Sequence, residues 1–136
     1  MTRLTRHFHS TLFIEYQTYF WFQTADQKEE KKLKANLVYI TASSEKEALN
    51  IGKTLVSERL AASVNISNPV RSLYWWEGKI QDEQEVVIVA KTGSGLVEKL
   101  TERVISMHSY ICPCVVSIPI EKGHPAFLDW IEAVTQ

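Results

Sequence analysis

The sequence has little cysteine, and its charges nearly cancel. Only two of its 136 residues are cysteine, Cys112 and Cys114, with one residue between them. A disulfide across that spacing would need strained geometry, so we expect two free thiols in a reducing compartment. The net charge is −1 without a basic stripe, which argues against a nucleic-acid partner. No run of about 18 apolar residues occurs, which argues against a membrane-spanning helix.

Two β-prone runs on either side of Glu77-Gly78 form the dominant local pattern. The first run extends back to Ser63 and the second continues to Thr92. A two-residue turn with glycine at its second position is typical of a β-hairpin. Pro69 cannot donate to a strand ladder, so we expect a bulge or bend near Asn68-Pro69.

Side-chain alternation along this hairpin predicts two apolar faces. One face of the incoming strand is predicted to carry Val64, Ile66, Val70, Tyr74 and Trp76, and the other to carry Leu73 and Trp75 near the turn. In the outgoing strand Val86, Ile88 and Ala90 alternate with Val87 and Val89. A half-buried strand has one apolar face, so something must cover the second face here.

Periodicity predicts an α+β fold. A short strand at 37–41 precedes a helix that is capped by Ser44 with Glu47 three residues later, and this helix is predicted to end near Arg59. After the hairpin come a second helix, a strand at 114–120 and a third helix from Pro125. The order is that of a ferredoxin-like βαββαβ sandwich with an extra C-terminal helix.

Two helices on one face of such a sheet leave the other face bare. We expect Leu73, Trp75, Val87 and Val89, or the residues of opposite parity, to lie on it. Because burial of a large apolar side chain contributes about 1.5–3 kcal/mol, the pattern predicts an obligate homo-oligomer, sheet against sheet.

Residues 1–35 differ in composition from the domain predicted at 36–136. The first 25 residues contain arginine and histidine but a single acid, Glu15. Apolar residues recur every fourth position from Leu4 to Phe20. A poorly ordered leader, an organellar targeting sequence and an ordered functional segment are all compatible with this pattern.

Several segments together resemble the CutA divalent-cation tolerance family. They are 58–66 (ERLAASVNI), 72–79 (SLYWWEGK), Lys91-Thr92, His108-Ser109-Tyr110 with Pro113, and Asp129-Trp130-Ile131. The resemblance implies a ferredoxin-like homotrimer in the cytoplasm with a role linked to copper and other divalent metals. The family's architecture is also similar to that of PII signalling trimers, which implies ligand sensing in clefts between subunits.

The sequence departs from the family at proposed metal-site positions. Ser63 and Ile40 stand where members carry cysteine, Met107 stands where a histidine is common, and Ile111 replaces an acid. His108 is the unchanged member of that constellation.

His108, Cys112 and Cys114 lie within seven residues and are the candidate metal ligands. Imidazole with two thiolates suits Cu(I) or Zn²⁺. Alternatively, His108 caps the second helix and the cysteines are small apolar residues.

A second set of residues is predicted to line an inter-subunit cleft or interface. Its members are aromatic or charged: Trp75, Trp76, Glu77, Lys79, Glu85, Lys91 and Tyr110. The aromatic residues would stack on a ligand or pack against a neighbouring subunit, and the charged residues would bind the ligand or form cross-strand ion pairs.

No catalytic constellation is evident. Gly93-Ser94-Gly95 lacks the phosphate-loop pattern, and 41–44 lacks the arginine that an acylphosphatase needs. We therefore predict a non-enzymatic protein without an organic cofactor. It would be a metal-tolerance protein, a PII-like sensor or a trimeric scaffold that presents residues 1–35.

Overall fold

A computed structural model describes residues 32–136. The predictions for the leader, including the scaffold hypothesis that depends on it, concern residues that lie almost entirely outside this range. Three helices and an antiparallel sheet make up the described part, as the periodicity predicted. The elements are β1 (Ala35–Ala42), α1 (Glu45–Ser57), β2 (Ser63–Ile66), β3 (Val70–Trp76), β4 (Lys79–Gly93), α2 (Val97–Met107), β5 (Val115–Pro119) and α3 (Pro125–Val134).

The sheet is built around the long strand β4. β1 lies between β5 and β4, and the other edge of β4 pairs first with β2 and then with β3. All of these pairings are antiparallel. With 15 residues, β4 is long enough to leave the sheet and continue into the hairpin arm that β3 completes.

The core lies between one side of this sheet and the helices α1 and α2. Alternate residues of β1 and β4 face it, and those of β4 form one of the two apolar faces that the alternation had separated. The fully or almost fully buried side chains include Val38, Ile40 and Ala42 from β1, Val86, Ile88 and Ala90 from β4, Ala48, Ile51 and Leu55 from α1, and Leu100 and Val104 from α2.

Helix α1 begins as the sequence predicts but ends earlier. The Ser44 hydroxyl accepts a hydrogen bond from the Glu47 N–H at 3.1 Å, which is the expected N-cap. The helix ends at Ser57, because Arg59 takes a left-handed conformation with φ 58°. That conformation typically follows a helix C-terminus.

The hairpin turn and the break before it are confirmed. Glu77 and Gly78 have φ values of 50° and 75°, the two positive angles of a type I′ turn. The break falls at 67–69, between β2 and β3. There Ser67 makes two hydrogen bonds with Val87 in place of regular strand pairing. The Ser67 N–H donates to the Val87 carbonyl, and the Ser67 Oγ accepts from the Val87 N–H, both at 2.9 Å.

This break reverses the predicted faces of the incoming strand. Ile66 pairs with Ile88 and Val70 pairs with Glu85, so three residues oppose two. The extra residue inverts the alternation, because side chains alternate with period two. The prediction that Val64 and Ile66 share a face with Val70, Tyr74 and Trp76 was therefore wrong.

The same inversion corrects the composition of the bare face. Leu73 and Trp75 pair with Asp82 and Ile80, whose parity along β4 is that of the core residues. They project from the hairpin arm beyond the helices, so they do not share a face with Val87 and Val89. The bare side of the sheet consists of the apolar residues that face away from the helices on β1, β4 and β5: Leu37, Tyr39, Val87, Val89, Val116 and Ile118.

Candidate functional site

A groove of about 750 Å³ lies between the hairpin arm and the segment that joins α2 to β5. Tyr74 and Trp76 of β3 form one wall, and Glu85 of β4 lies in it. The opposite wall comes from the segment after α2. The remaining lining residues are Thr41, Arg71, Ser72, Leu73, Ser109, Tyr110, Ile111, Cys112 and Cys114.

His108 holds the segment after α2 in place. Its side chain is fully buried, and its Nε2 lies 2.7 Å from the Thr41 carbonyl oxygen. Its Nδ1 accepts the Tyr110 N–H at 3.0 Å. One neutral tautomer satisfies both contacts, with Nε2–H as the donor to Thr41. Both ring nitrogens are therefore engaged in positioning Tyr110.

Glu47 provides a second anchor for the same segment. Its carboxylate accepts hydrogen bonds from the Ser43 N–H at 3.0 Å and the Ser109 N–H at 3.1 Å. The sequence marked Glu47 only as part of a helix cap. Its contact with Ser109, 62 positions away, had no local signal.

These contacts make stability depend on pH. Burial alone would raise the pKa of Glu47, but hydrogen bonds from Ser43 and Ser109 outweigh it and lower the pKa from the ordinary value of 4.5. A depressed folded-state pKa stabilises the fold above the unfolded-state value, and this contribution is lost as pH falls through the folded-state value. Urea denaturation at a series of pH values should therefore show stability falling below about pH 4.5, with a shallower fall in Glu47→Gln. Equal slopes for the two proteins would refute this role of Glu47.

Two carboxylates and two phenols lie together beside the groove. The Tyr74 hydroxyl donates to Glu83 at 2.7 Å, and this bond raises the pKa of Tyr74 to about 12. Burial, followed by the charge of Glu85, raises the pKa of Tyr110 to about 12. Both phenols are therefore protonated at neutral pH.

The two thiols open into this groove. Cys112 and Cys114 are exposed and free, and both line it. Although the Cys114 residue is exposed, partial desolvation of its sulfur, followed by the nearby charge of Glu85, raises the pKa of its thiol. Cys114 is thus a thiol rather than a thiolate at neutral pH, which makes it a poor nucleophile until a metal displaces its proton.

The candidate metal ligands are close in sequence but do not form a ready-made site. Within residues 32–136, no group of three His, Cys, Asp or Glu side chains is placed to hold one metal ion. Cys112 and Cys114 share the groove, whereas His108 is buried behind it with both nitrogens hydrogen-bonded. The assignment of a metal to these three residues stays a prediction.

The predicted cleft residues lie in three different places. Trp76, Glu85 and Tyr110 line the groove, while Trp75, Glu77 and Lys79 lie at the hairpin end and are not among its lining residues. Lys91 is further along β4, where its Nζ donates to the Asn65 side chain at 2.5 Å. Tyr74 was not among the cleft residues predicted from the sequence, although its alternation with Trp76 places both on one face.

Comparison with known proteins identifies the family. Residues 36–134 match the family described as CutA1 divalent ion tolerance protein. The chain belongs to the CutA family. The divalent-cation tolerance protein CutA of Archaeoglobus fulgidus is 46% identical over 101 residues, which are 74% of this chain and 98% of that protein. Protein CutA of Mus musculus is 42% identical over 98 residues, 72% of this chain and 55% of that protein.

Solved CutA structures share the fold. The structure of the CutA of A. fulgidus, described as periplasmic, has a TM-score of 0.72 at 45% identity and covers 75% of this chain and 99% of its own. CutA1 from Oryza sativa has a TM-score of 0.74 at 36% identity and covers 76% of this chain and 95% of its own. Within residues 32–136, none of the helices has the length and apolar composition that a membrane span requires.

Proposed function

We propose that this CutA chain acts in divalent-cation tolerance as a non-enzymatic homotrimer that binds copper through its groove. We place it in a reducing compartment such as the cytoplasm, because both thiols are free. The proposed subunit fold is ferredoxin-like, with β2 and β3 counted as one broken strand. The observation that supports copper binding is that Cys112 and Cys114 both line the same groove.

The apolar surfaces support the proposed assembly. Tyr39, Val116 and Ile118 are exposed on the bare side of the sheet. At the hairpin end Leu73, Trp75 and Ile80 are 66%, 71% and 64% exposed. Two separate apolar surfaces of this kind are costly in water and typical of interaction sites. A closed symmetric oligomer, in which every subunit contributes the same surfaces, can bury both of them.

Sulfur ligands favour monovalent copper over hard cations. Cys112 and Cys114 would supply two thiolates after losing their protons. Met107 packs against the core, so its thioether is not directed to the groove. His108 would join as a third ligand only by releasing the Thr41 carbonyl or the Tyr110 N–H. The thiols are therefore the primary ligands in this proposal, and His108 is secondary.

Copper titration under reducing conditions against a competing Cu(I) chelator tests this proposal. The wild-type trimer should take up one copper per subunit, and the double variant Cys112→Ser with Cys114→Ser should take up none. His108→Gln should reduce affinity less than the loss of the thiols. Equal uptake by the double variant and the wild type would remove the thiols from the proposal.

A second candidate function is the sensing of a small molecule. The groove volume of about 750 Å³ falls within the range of small-molecule sites. The aromatic side chains of Tyr74, Trp76 and Tyr110 beside the buried carboxylate of Glu85 resemble the mixed lining of such sites. This function requires no metal, so a metal-free trimer that binds a ligand would favour it over copper binding.

A further inference from the structure

Glu85 is a buried carboxylate that has no cationic partner among the residues that the structure describes. It is 7% exposed and lines the groove. Among residues 32–136, no lysine, arginine or histidine nitrogen lies within 4.0 Å of its oxygens. The Tyr110 side chain is near enough for the charge of Glu85 to help raise its pKa to about 12, so that phenol is neutral. Buried charges in proteins are normally paired, so this one is left with unused capacity to bind a cation.

The surroundings strengthen the negative charge instead of cancelling it. Glu83 lies on the same face of β4 as Glu85 and accepts the Tyr74 hydroxyl. In the described part of the chain, the basic side chain that lines the groove is Arg71. Its guanidinium is already bound to Asp82 through two nitrogens, at 2.8 and 2.5 Å. Among the described residues, the negative charge of Glu85 in the groove is therefore not neutralised by a basic side chain.

The walls around this charge are aromatic. Tyr74 and Trp76 lie on the same face of the hairpin as Glu85, and Tyr110 approaches from the other side. The faces of tyrosine and tryptophan rings attract cations, and tryptophan does so most strongly. A carboxylate that lines an aromatic groove is thus complementary to an organic cation, and it would repel an anionic metabolite.

A metal ion fits Glu85 less well. Hard divalent ions need six or more oxygen ligands, or several ligands with retained water. The described residues do not bring two further His, Cys, Asp or Glu side chains to Glu85 as a metal-binding group. An organic cation needs only the carboxylate as hydrogen-bond acceptor and apolar contacts for its remaining atoms.

We propose that the groove binds a small organic cation, an ammonium or guanidinium group on a short apolar body. Its N–H groups donate to Glu85, and its body lies against Trp76 and Tyr110. The inference rests on the second candidate function, ligand sensing, and does not require copper to be bound.

The test uses the full chain in its assembled form and three probes of similar size. These are butylguanidinium, neutral butyramide and anionic butyrate, each titrated by calorimetry and by the change in tryptophan fluorescence. We expect saturable binding of butylguanidinium alone. Glu85→Gln, which keeps the shape and removes the charge, should weaken that binding about tenfold or more. The matched variant Glu102→Gln, on the exposed surface of α2, should leave it unchanged.

Trp76→Leu gives a second reading if Glu85→Gln does not fold. Loss of the aromatic wall should weaken butylguanidinium binding about threefold or more, with the circular dichroism spectrum unchanged. Unchanged affinity in both variants would overturn the proposal.

Other outcomes separate this proposal from the candidate function on which it rests. Preferential binding of butyrate would overturn the cation assignment and keep ligand sensing. No binding of any probe, with Glu85→Gln dissociating the assembly, would show that a basic side chain of a neighbouring subunit occupies the groove, and would overturn the proposal. No binding with an intact Glu85→Gln assembly would count against both the proposal and the sensing function.

Discussion

Val116→Asp should convert the proposed CutA trimer into monomers. Val116 on β5 is 51% exposed and lies beside its strand partner Tyr39 on the bare side of the sheet. If this side is buried between subunits, each assembly would enclose one unpaired carboxylate per subunit. The desolvation cost is several kcal/mol per ion, which is large against the net free energy of association. Sedimentation velocity at micromolar concentration should show a single species of monomer mass.

Ile105→Asp is the matched control for this variant. Ile105 is 53% exposed, nearly the same as Val116, but it lies on α2, on the opposite side of the sheet. The same substitution should leave the trimer intact there. A trimeric Val116→Asp protein would contradict sheet-to-sheet assembly, and dissociation by Ile105→Asp would move the interface to the helices.

Leu100→Ala should cause a large loss of folding stability. The Leu100 side chain is fully buried in the cluster between α2, α1 and the sheet. Leucine-to-alanine substitutions in such positions remove the transfer free energy and leave a cavity, at a cost of about 2–5 kcal/mol. Guanidinium denaturation should report this change at one fixed protein concentration, because the stability of an oligomer depends on concentration.

Ile105→Ala on the same helix separates packing from helix propensity. Because the Ile105 side chain is exposed, the free energy of unfolding of Ile105→Ala should lie within about 0.5 kcal/mol of the wild-type value. A loss at Leu100 no larger than the loss at Ile105 would contradict the location of the core.

The sequence was sufficient to predict the order of elements because these patterns are local. The period of α1, its Ser44 cap and the Glu77-Gly78 turn each depend on a few adjacent residues. Which side chains lie on which face of the hairpin arm was not predictable in this way. It depends on how many residues of 67–69 oppose 86–87, and that register is set by the paired strand β4.

The candidate site shows the same limit. Cys112, Cys114 and Tyr110 were recognisable from their residue types, and the structure places all three beside one groove. The roles of His108 and Glu47 as anchors depend on contacts with Thr41 and Ser109, which lie more than 60 positions away in each case. Spacing and the family resemblance made His108 a ligand candidate, whereas its hydrogen bonds make it a positioning residue.

Native mass spectrometry of the intact protein, titrated with copper under reducing conditions, tests the account most directly. It reports assembly and metal content in the same spectrum. The account predicts a species of three times the 15.6 kDa subunit mass that gains one copper per subunit. A monomeric species, or a trimer that remains metal-free at copper excess, would contradict the proposed metal-binding trimer.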